Sequence, residues 1–392
     1  MKICFISTVE SSNHPRIAEF TNEALDNNFD VIFISPDRPD KKTDIVNYYL
    51  LHNVRYHFRN ENDFWKTLFA IIERVFISWQ ALFCTIFIDC DVYQCYGPDA
   101  WIIGYINKLL KRNILIIDIL ETYESRSKAF PAITREKVRK ILRSSMAFIG
   151  NKADYVLHVS QTRAELYKDI FEQYIVINNY PEINTINQIH KKLPSYIEDV
   201  NSRKIIIHAG PLRVNYAAKE ILLSLELLSD KISDLVLLIP GGIKGPPDAF
   251  EKLLERLIEL DIVRLLPKIP YDEVISIMKC SDLGLSLVLP IDLAHRYAFP
   301  RKFFEYLACG LPVVGSDVPD IREITEKWEC GLVVKKEDPK LISEAIFQIL
   351  TDPKMHNKMS ENALLAAENE LNWEKERIKV EKLYSEIYKK SK

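Results

Sequence analysis

The stretch of residues 298–324 constrains the fold most, because a short helix and a buried strand follow each other there almost without a linker. Pro300 suits the first turn of a helix, since its missing N–H would be unpaired there anyway. Gly310 and Pro312 end that helix, and Val313 with Val314 continues as a buried strand. Free N–H groups and the dipole at a helix N-terminus favour negative charge. We therefore expect an anionic ligand near the start of this helix.

The same stretch resembles the nucleotide-sugar signature of the retaining group 1 (family 4-type) glycosyltransferases. That signature is a Pro-x-Lys-x-x-Glu run continued by Ala-x-Gly-x-Pro-Val-Val. The residues that match it are Pro300, Lys302, Glu305, Tyr306, Ala308, Gly310, Pro312, Val313 and Val314. The resemblance implies that Glu305 binds the donor ribose and that Pro300, Arg301 and Lys302 lie beside the donor. The alternative is a capped amphipathic helix that only packs on the sheet.

One position in this region departs from the family pattern. Many relatives carry an earlier glutamate where this chain has Tyr297. Relatives with a Pro-x-Lys ahead of the helix often lack that glutamate as well, so the departure indicates a sub-type of the family. We keep Tyr297 among the expected donor-site residues, and the residue that recognises the sugar hydroxyls stays open.

The resemblance extends to three loops of the second half. Residues 204–209 predict a strand closed by Gly210, and in relatives the following loop supplies an arginine and a lysine to the donor diphosphate. Arg213 and Lys219 lie in that part of the chain, although not at the usual spacing, and a solvated surface is the alternative for each. Gly241 follows the predicted strand 235–240. Lys268 lies in the stretch 262–270, where relatives hold the base, so both are expected donor-site residues.

Predicted strands and helices alternate along the chain. Residues 2–7, 16–27 and 29–35 read as strand, helix and strand, the pattern of a doubly wound sheet. The resemblance implies an α/β fold of the GT-B kind, in which two Rossmann-like parallel-sheet domains face each other across a cleft and a C-terminal helix crosses back to the first. The predicted parts are an acceptor-side domain at 1–185, a linker at 186–203, a nucleotide-sugar-binding domain at 204–372 and the returning helix at 373–392.

Three features of the first half carry chemistry. Residues 118–124 resemble a family segment whose histidine touches the donor sugar, but Leu120 replaces that histidine. An apolar side chain cannot hydrogen-bond a sugar, so Glu121 is the nearest candidate for the role. Asp89 and Asp91 imitate a metal-binding Asp-x-Asp motif, yet relatives place an acidic residue in this strand, so we predict no metal ligand there. For Arg16, at a helix start, contact with a phosphate or acceptor and simple solvation are both open.

Composition narrows the class of protein. With 392 residues, 47% hydrophobic and 27% charged, the chain suits two ordinary globular domains. Its net charge of −3 argues against a strongly basic nucleic-acid binder. The seven cysteines show no metal-binding spacing and predict free thiols of a reducing compartment. No signal-peptide pattern opens the sequence, and the longest uncharged run, residues 75–88, is too short to span a bilayer. We expect a cytoplasmic protein.

Two segments of the first half raise the question of membrane contact. Residues 64–88 are rich in large apolar side chains and predict either a core helix or one that partly contacts a membrane. Residues 126–152 interleave many bases with apolar residues and contain a single acid, Glu136. This segment predicts either peripheral attachment to the inner face of the cell membrane or a solvated basic helix.

The resemblance implies a retaining hexosyltransferase that moves a sugar from a nucleotide-diphosphate sugar to a saccharide or lipid-linked saccharide, in the synthesis of a bacterial capsule or lipopolysaccharide. We expect no cofactor and no metal, because Lys302, Arg213 and Lys219 can neutralise the departing diphosphate. Two alternatives stay open. One is a non-catalytic scaffold that partners an active transferase, which Leu120 and Tyr297 keep open; the other is a sugar-nucleotide epimerase of similar fold.

Overall fold

The computed structural model describes residues 1–8, 14–36, 47–51, 63–123, 132–244 and 250–391. The chain forms two compact units. Met1–Asn178 and Glu376–Lys392 make up the first unit, and Asn179–Lys375 make up the second. Each unit is built on one parallel sheet with helices between the strands.

The first unit has a seven-stranded sheet in the order β3-β2-β1-β4-β5-β6-β7. Its strands are β1 (Lys2–Ser7), β2 (Asp30–Ser35), β3 (Asn47–Leu50), β4 (Val92–Tyr96), β5 (Ile114–Ile119), β6 (Tyr155–His158) and β7 (Ile175–Val176). Its helices are α1 (Pro15–Asp26), α2 (Asp63–Phe87), α3 (Pro98–Lys111), α4 (Ala132–Gly150) and α5 (Gln161–Leu166), together with most of the C-terminal helix. Near-continuous apolar strands suit a parallel sheet that is covered on both faces.

The two faces of this sheet are covered by different helices. Ile77 of α2, Trp101 of α3 and Met146 of α4 are buried in one hydrophobic cluster on one face. On the other face Phe20 of α1 packs edge-on against Tyr384 of the C-terminal helix. α2, α3 and α4 therefore form one outer layer of the first unit.

Arg16 has neither of the roles that its sequence position suggested. Its side chain is fully buried, and Nε lies 2.9 Å from a carboxylate oxygen of Asp118 at the end of β5. It also donates a hydrogen bond to the carbonyl of Ile177. The sequence did not reveal this pairing because the two residues are far apart in the chain and meet only when β5 lies beside α1.

The second unit has a six-stranded sheet in the order β10-β9-β8-β11-β12-β13. Its strands are β8 (Lys204–Ile207), β9 (Leu235–Pro240), β10 (Val263–Leu266), β11 (Leu283–Ser286), β12 (Val313–Ser316) and β13 (Gly331–Val334). The remaining helices are α6 (Ile183–Gln188), α7 (Ala218–Ser229), α8 (Glu251–Glu259), α9 (Tyr271–Cys280), α10 (Leu293–Arg296), α11 (Arg301–Ala308), α12 (Pro319–Trp328), α13 (Pro339–Thr351), α14 (Pro353–Asn369) and the C-terminal α15 (Trp373–Ser391). The strand order reverses at β8.

The division of the chain differs from the predicted boundaries at 185 and 203. Residues 186–203 are part of the second unit, where Ile186, Leu193, Ile197 and Val200 are buried in its core. Their polar neighbours gave the segment the composition of a linker, although its spaced apolar side chains pack inward. From Glu376 onward α15 belongs to the first unit. The predicted fold class, two Rossmann-like parallel-sheet units with a C-terminal helix that returns to the first, is confirmed.

All seven cysteines are free thiols. In the described part of the chain, no helix is both long enough and apolar enough to cross a bilayer. Arg126, Lys128 and Phe130 of the predicted basic segment lie outside the described residues.

Candidate functional site

The signature helix of the second unit lies where the strand order of its sheet reverses. β8 lies between β9 and β11, and the segments that follow β8 and β11 run in opposite directions across the sheet. Ligands of open parallel sheets bind outside the carboxyl ends of the strands at such a point. The segment after β8 begins with His208, and the segment after β11 leads to α11, so the signature helix lies at this position.

Packing fixes α11 against the end of β8. Pro300 is the N-cap residue of the helix and has an extended backbone conformation. On the helix itself the side chains of Phe303, Phe304 and Leu307 are buried. The hydroxyl of Tyr306 accepts a hydrogen bond of 2.8 Å from the backbone N–H of Ala209. This bond ties the helix to the loop after β8, so the polar residues of both elements are held in register.

Lys302 and His208 meet at the centre of this region. Lys302 Nζ lies 3.0 Å from Nε2 of the fully buried His208, and 4.7 Å from the centre of the Tyr216 ring. Burial lowers the pKa of Lys302 to about 7, although the charge of Glu305 acts in the opposite direction. Burial and then the Lys302 cation lower the pKa of His208 well below its usual range. His208 is therefore a neutral acceptor for a lysine that can gain or lose its proton near neutral pH.

Glu305 lies one helical turn after Lys302 and is held by two donors. The hydroxyl of Tyr271 lies 3.1 Å and Nε of Arg301 3.2 Å from the same carboxylate oxygen, Oε1. Arg301 also donates to the side chain of Asn179 at 3.3 Å. Within the described residues Oε2 of Glu305 carries no hydrogen bond. The carboxylate is thus oriented by one oxygen and can accept hydrogen bonds from a ligand through the other.

The loops after β8 and β9 lie next to the pair of Lys302 and His208. Gly210 has a φ of +83° and Gly241 a φ of +92°, which only glycine adopts without strain. The loops are joined by a hydrogen bond of 2.9 Å from the Leu212 N–H to the Gly242 carbonyl. Arg213 is exposed before the short 3₁₀ turn Val214–Tyr216, and Lys219 is exposed in the first turn of α7. The structure thus brings Gly210, Gly241 and Arg213 to the same edge of the sheet.

The remaining predicted residues have simpler positions. Lys268 is exposed two residues after β10, at the same edge. Tyr297 ends α10, just before Pro300. Glu121 is exposed directly after β5, in the first unit, whereas all the other predicted site residues lie in the second. Leu120 accepts a hydrogen bond through its carbonyl oxygen from Arg163 and offers no polar side chain.

The Asp-x-Asp pattern lies at the amino ends of the strands of the first sheet, and Glu121 lies at their carboxyl ends. Asp89 and Asp91 precede β4, at the amino ends of the strands, and Asp91 accepts a hydrogen bond of 2.7 Å from the backbone N–H of Lys2. Among the described residues there is no group of three or more His, Cys, Asp or Glu side chains that could hold a metal ion. Asp91 thus holds the start of β1, whereas Asp89 is exposed.

Sequence reasoning missed four polar residues around the site. They are His208, Tyr271, Asn215 and His295. His295 donates a hydrogen bond of 2.6 Å from Nδ1 to the Asp292 carboxylate, and its Nε2 accepts one of 2.7 Å from the side-chain amide of Asn215, which ties α10 to the loop that carries Arg213. Only His208 had a sequence signal, because it is the one ionisable residue that follows the apolar run of β8.

Two Rossmann-like parallel-sheet units, with a C-terminal helix that returns to the first, are the architecture of the GT-B class of fold. Residues 192–365 match the family of glycosyl transferases group 1. The matched residues lie within the second unit and make up less than half of the chain.

Two curated relatives and a solved structure resemble the chain. A D-inositol 3-phosphate glycosyltransferase of Corynebacterium efficiens is 25% identical over 201 residues, which are 50% of this chain and 43% of that protein. An N-acetyl-alpha-D-glucosaminyl L-malate synthase of Bacillus anthracis is 24% identical over 49% of this chain and 48% of that protein. The chain thus spans less than half the length of these curated relatives. The crystal structure of Anabaena Alr3699/HepE in complex with UDP-glucose has a TM-score of 0.72 at 16% identity, covering 98% of this chain and 100% of that one.

Proposed function

We propose that this protein is a retaining glycosyltransferase that moves a sugar from a nucleoside diphosphate sugar to a saccharide or lipid-linked saccharide acceptor. One observation carries the proposal: Lys302 and Glu305 lie one turn apart on α11 at the switch point of the second sheet. A cation suits a diphosphate, and a carboxylate suits the hydroxyls of a ribose. The UDP-glucose bound by the Anabaena protein supports a nucleotide-sugar donor.

Glu305 is the residue that would hold the ribose. Tyr271 and Arg301 hold its Oε1, which leaves Oε2 to accept hydrogen bonds from the ribose hydroxyls. Hydrogen bonds to a charged acceptor are stronger than neutral ones. Because the carboxylate is already oriented, little conformational freedom is lost when the ribose binds.

Lys302 would act on the diphosphate. As the bond between the anomeric carbon and the β-phosphate oxygen breaks, negative charge develops on that oxygen, and an ammonium placed there stabilises it. Arg213 and Lys219 are the further cations near the same loops. The departing phosphate oxygen then accepts the proton of the acceptor hydroxyl, whose oxygen bonds to the anomeric carbon from the same side. These cations make a metal unnecessary for the step.

We propose the acceptor by its chemical class. The names of the two relatives specify different acceptors, inositol 3-phosphate and malate. For this chain we propose a saccharide, free or lipid-linked, of a bacterial surface polysaccharide, made on the cytoplasmic side. The alternative is a scaffold that binds a donor without turning it over. Leu120 is compatible with it, because such a scaffold has no need of a side chain that touches the sugar.

The test has two steps. A thermal-shift panel of nucleotide sugars identifies the donor, because a ligand of the folded state raises the melting temperature. NMR of that donor with the protein and a set of saccharides then follows the fate of the sugar. Transfer with the anomeric configuration of the donor supports the proposal. Binding without any turnover supports the scaffold, and an epimerised donor formed without an acceptor supports an epimerase.

A further inference from the structure

The outer side of α2 exposes a row of apolar side chains. From Val75 to Phe87 the helix has no charged residue. Exposed fractions of 41–74% are found for Ile72, Val75, Phe76, Trp79, Phe83, Ile86 and Phe87. At about 100° per residue these fall within one arc of about 120°, and the buried Ile77, Ala81 and Thr85 fall on the opposite side. The helix is therefore apolar towards the core and towards solvent.

Four of these side chains form a row of aromatic rings. The ring centres of Phe76 and Trp79 are 6.5 Å apart, those of Trp79 and Phe83 5.9 Å, and those of Phe83 and Phe87 5.0 Å. The row follows the helix for about 16 Å. Large exposed apolar patches of this kind mark sites of interaction with a protein or a membrane.

α3 extends the apolar surface. It lies beside α2, because Arg74 Nη2 is 2.6 Å from the Asp99 carboxylate at one end and Lys111 Nζ donates to the Ile88 carbonyl at 2.6 Å at the other. Its outer side adds three residues with exposed fractions of 47–66%, namely Ile102, Leu109 and Leu110. We call the ten exposed residues of the two helices, seven from α2 and three from α3, the apolar face.

Basic side chains border the apolar face on the side of α4. That helix packs against α3, with the rings of Tyr105 and Phe148 5.7 Å apart. Its bases are Arg135, Lys137, Arg139, Lys140 and Arg143. The one acid of the helix, Glu136, is paired with Arg139 at 2.8 Å. Lys137 and Lys140 are exposed, so the layer of helices joins an apolar strip to a cationic one.

We propose that the apolar face and the bases of α4 form a docking surface for an anionic lipid bilayer, with α2 lying in the plane of the headgroups. Trp and other aromatic side chains favour that interface, and cations beside them match anionic headgroups. A second copy of the chain fits less well, since a symmetric contact would bring the bases of both α4 helices together. A protein partner also fits less well, because lysine is depleted at protein interfaces.

This inference does not depend on the proposed function, since binding to lipid needs neither donor nor acceptor. The experiment is co-sedimentation of the full chain with vesicles of phosphatidylcholine alone or with phosphatidylglycerol added. Three variants are compared: Trp79→Ser with Phe83→Ser, Lys137→Glu with Lys140→Glu, and the control Ile378→Ser. Ile378 is 49% exposed on α15, which packs on the other face of the sheet. All five positions are on the surface, and circular dichroism checks that each variant is folded.

The wild type should sediment with the anionic vesicles and remain in solution with the neutral ones, and salt should weaken binding. Lys137→Glu with Lys140→Glu should bind at least tenfold more weakly, since losing one base near an anionic surface costs about fivefold. Trp79→Ser with Phe83→Ser should also bind at least tenfold more weakly, because it removes two aromatic side chains of the apolar face. Ile378→Ser should bind like the wild type. Equal recovery in the supernatant with both vesicles overturns the proposal, and so does full binding by the Trp79 and Phe83 variant. Equal binding to both vesicles overturns the anionic assignment. A dimer in light scattering that Trp79→Ser with Phe83→Ser dissociates, without vesicle binding, assigns the face to a second copy instead.

Discussion

Nζ of Lys302 lies 3.0 Å from Nε2 of His208, so a buried neutral imidazole holds the amine at the first turn of the signature helix. The pair links β8 to α11 across the point where the strand order of the second sheet reverses. A lysine in such a place is partly desolvated before any ligand arrives, which makes its charge sensitive to what binds.

Donor binding should take up protons near neutral pH. Burial lowers the pKa of Lys302 to about 7, so the free protein loses this cation as the pH rises through that value. An anionic diphosphate favours the charged form and raises the pKa again. We therefore expect affinity for UDP, or for the donor found in the thermal-shift panel, to weaken above about pH 7, and calorimetry in buffers of different ionisation enthalpy to show proton uptake. Lys302→Arg stays charged and should lose this pH dependence; a wild type that binds without proton uptake contradicts the prediction.

Glu305→Ala should weaken nucleotide binding roughly tenfold or more, because a hydrogen bond to a carboxylate is worth about 1.5–3 kcal/mol. Tyr271→Phe is a graded comparison: it keeps the carboxylate but removes the 3.1 Å hydrogen bond that orients it, so its loss should be smaller. Isothermal calorimetry with the nucleotide measures both. Unchanged affinity in Glu305→Ala would remove the residue from the site.

Transfer should survive EDTA. The cations Lys302, Arg213 and Lys219 can meet the charge of the leaving group, and Asp91 is engaged with the backbone of Lys2. Initial rates with and without chelator provide the measurement, and Asp89→Asn with Asp91→Asn should keep the wild-type rate. Loss of activity on chelation that Mn²⁺ restores, and that the double variant shares, would make these aspartates metal ligands.

Removing either partner of the buried Arg16 and Asp118 pair should destabilise the first unit. Arg16→Leu leaves the fully buried carboxylate of Asp118 without its counter-ion, and such a loss costs about 3–5 kcal/mol. The double variant Arg16→Leu with Asp118→Leu should recover part of this, because no charge is left buried. Urea unfolding is the measurement. The exposed pair of Lys327 and Glu370 is the control, since Lys327→Ala should change the unfolding free energy by less than about 1 kcal/mol.

The strands and helices were largely predictable from the sequence. β9 coincides with the predicted strand 235–240, and β1 with 2–7. Strands of a parallel sheet are buried on both faces, so they appear as apolar runs between polar breaks whatever the rest of the chain does. The run from Pro300 to Val314 determined more, because a helix that is capped and ended at fixed spacing leaves Lys302 and Glu305 one turn apart.

Tertiary structure decided which residues meet. The partner of Lys302 is His208, almost a hundred positions earlier, and the partner of Arg16 is Asp118. No local pattern encodes such pairs, because they depend on which strands become neighbours in the sheet. The same holds for solvent exposure. The apolar residues of α2 look alike in sequence, yet Ile77 is 4% and Val75 64% exposed. Periodicity distinguishes the two sides of a helix, but it identifies the buried side only when the other side is polar, and on α2 both sides are apolar.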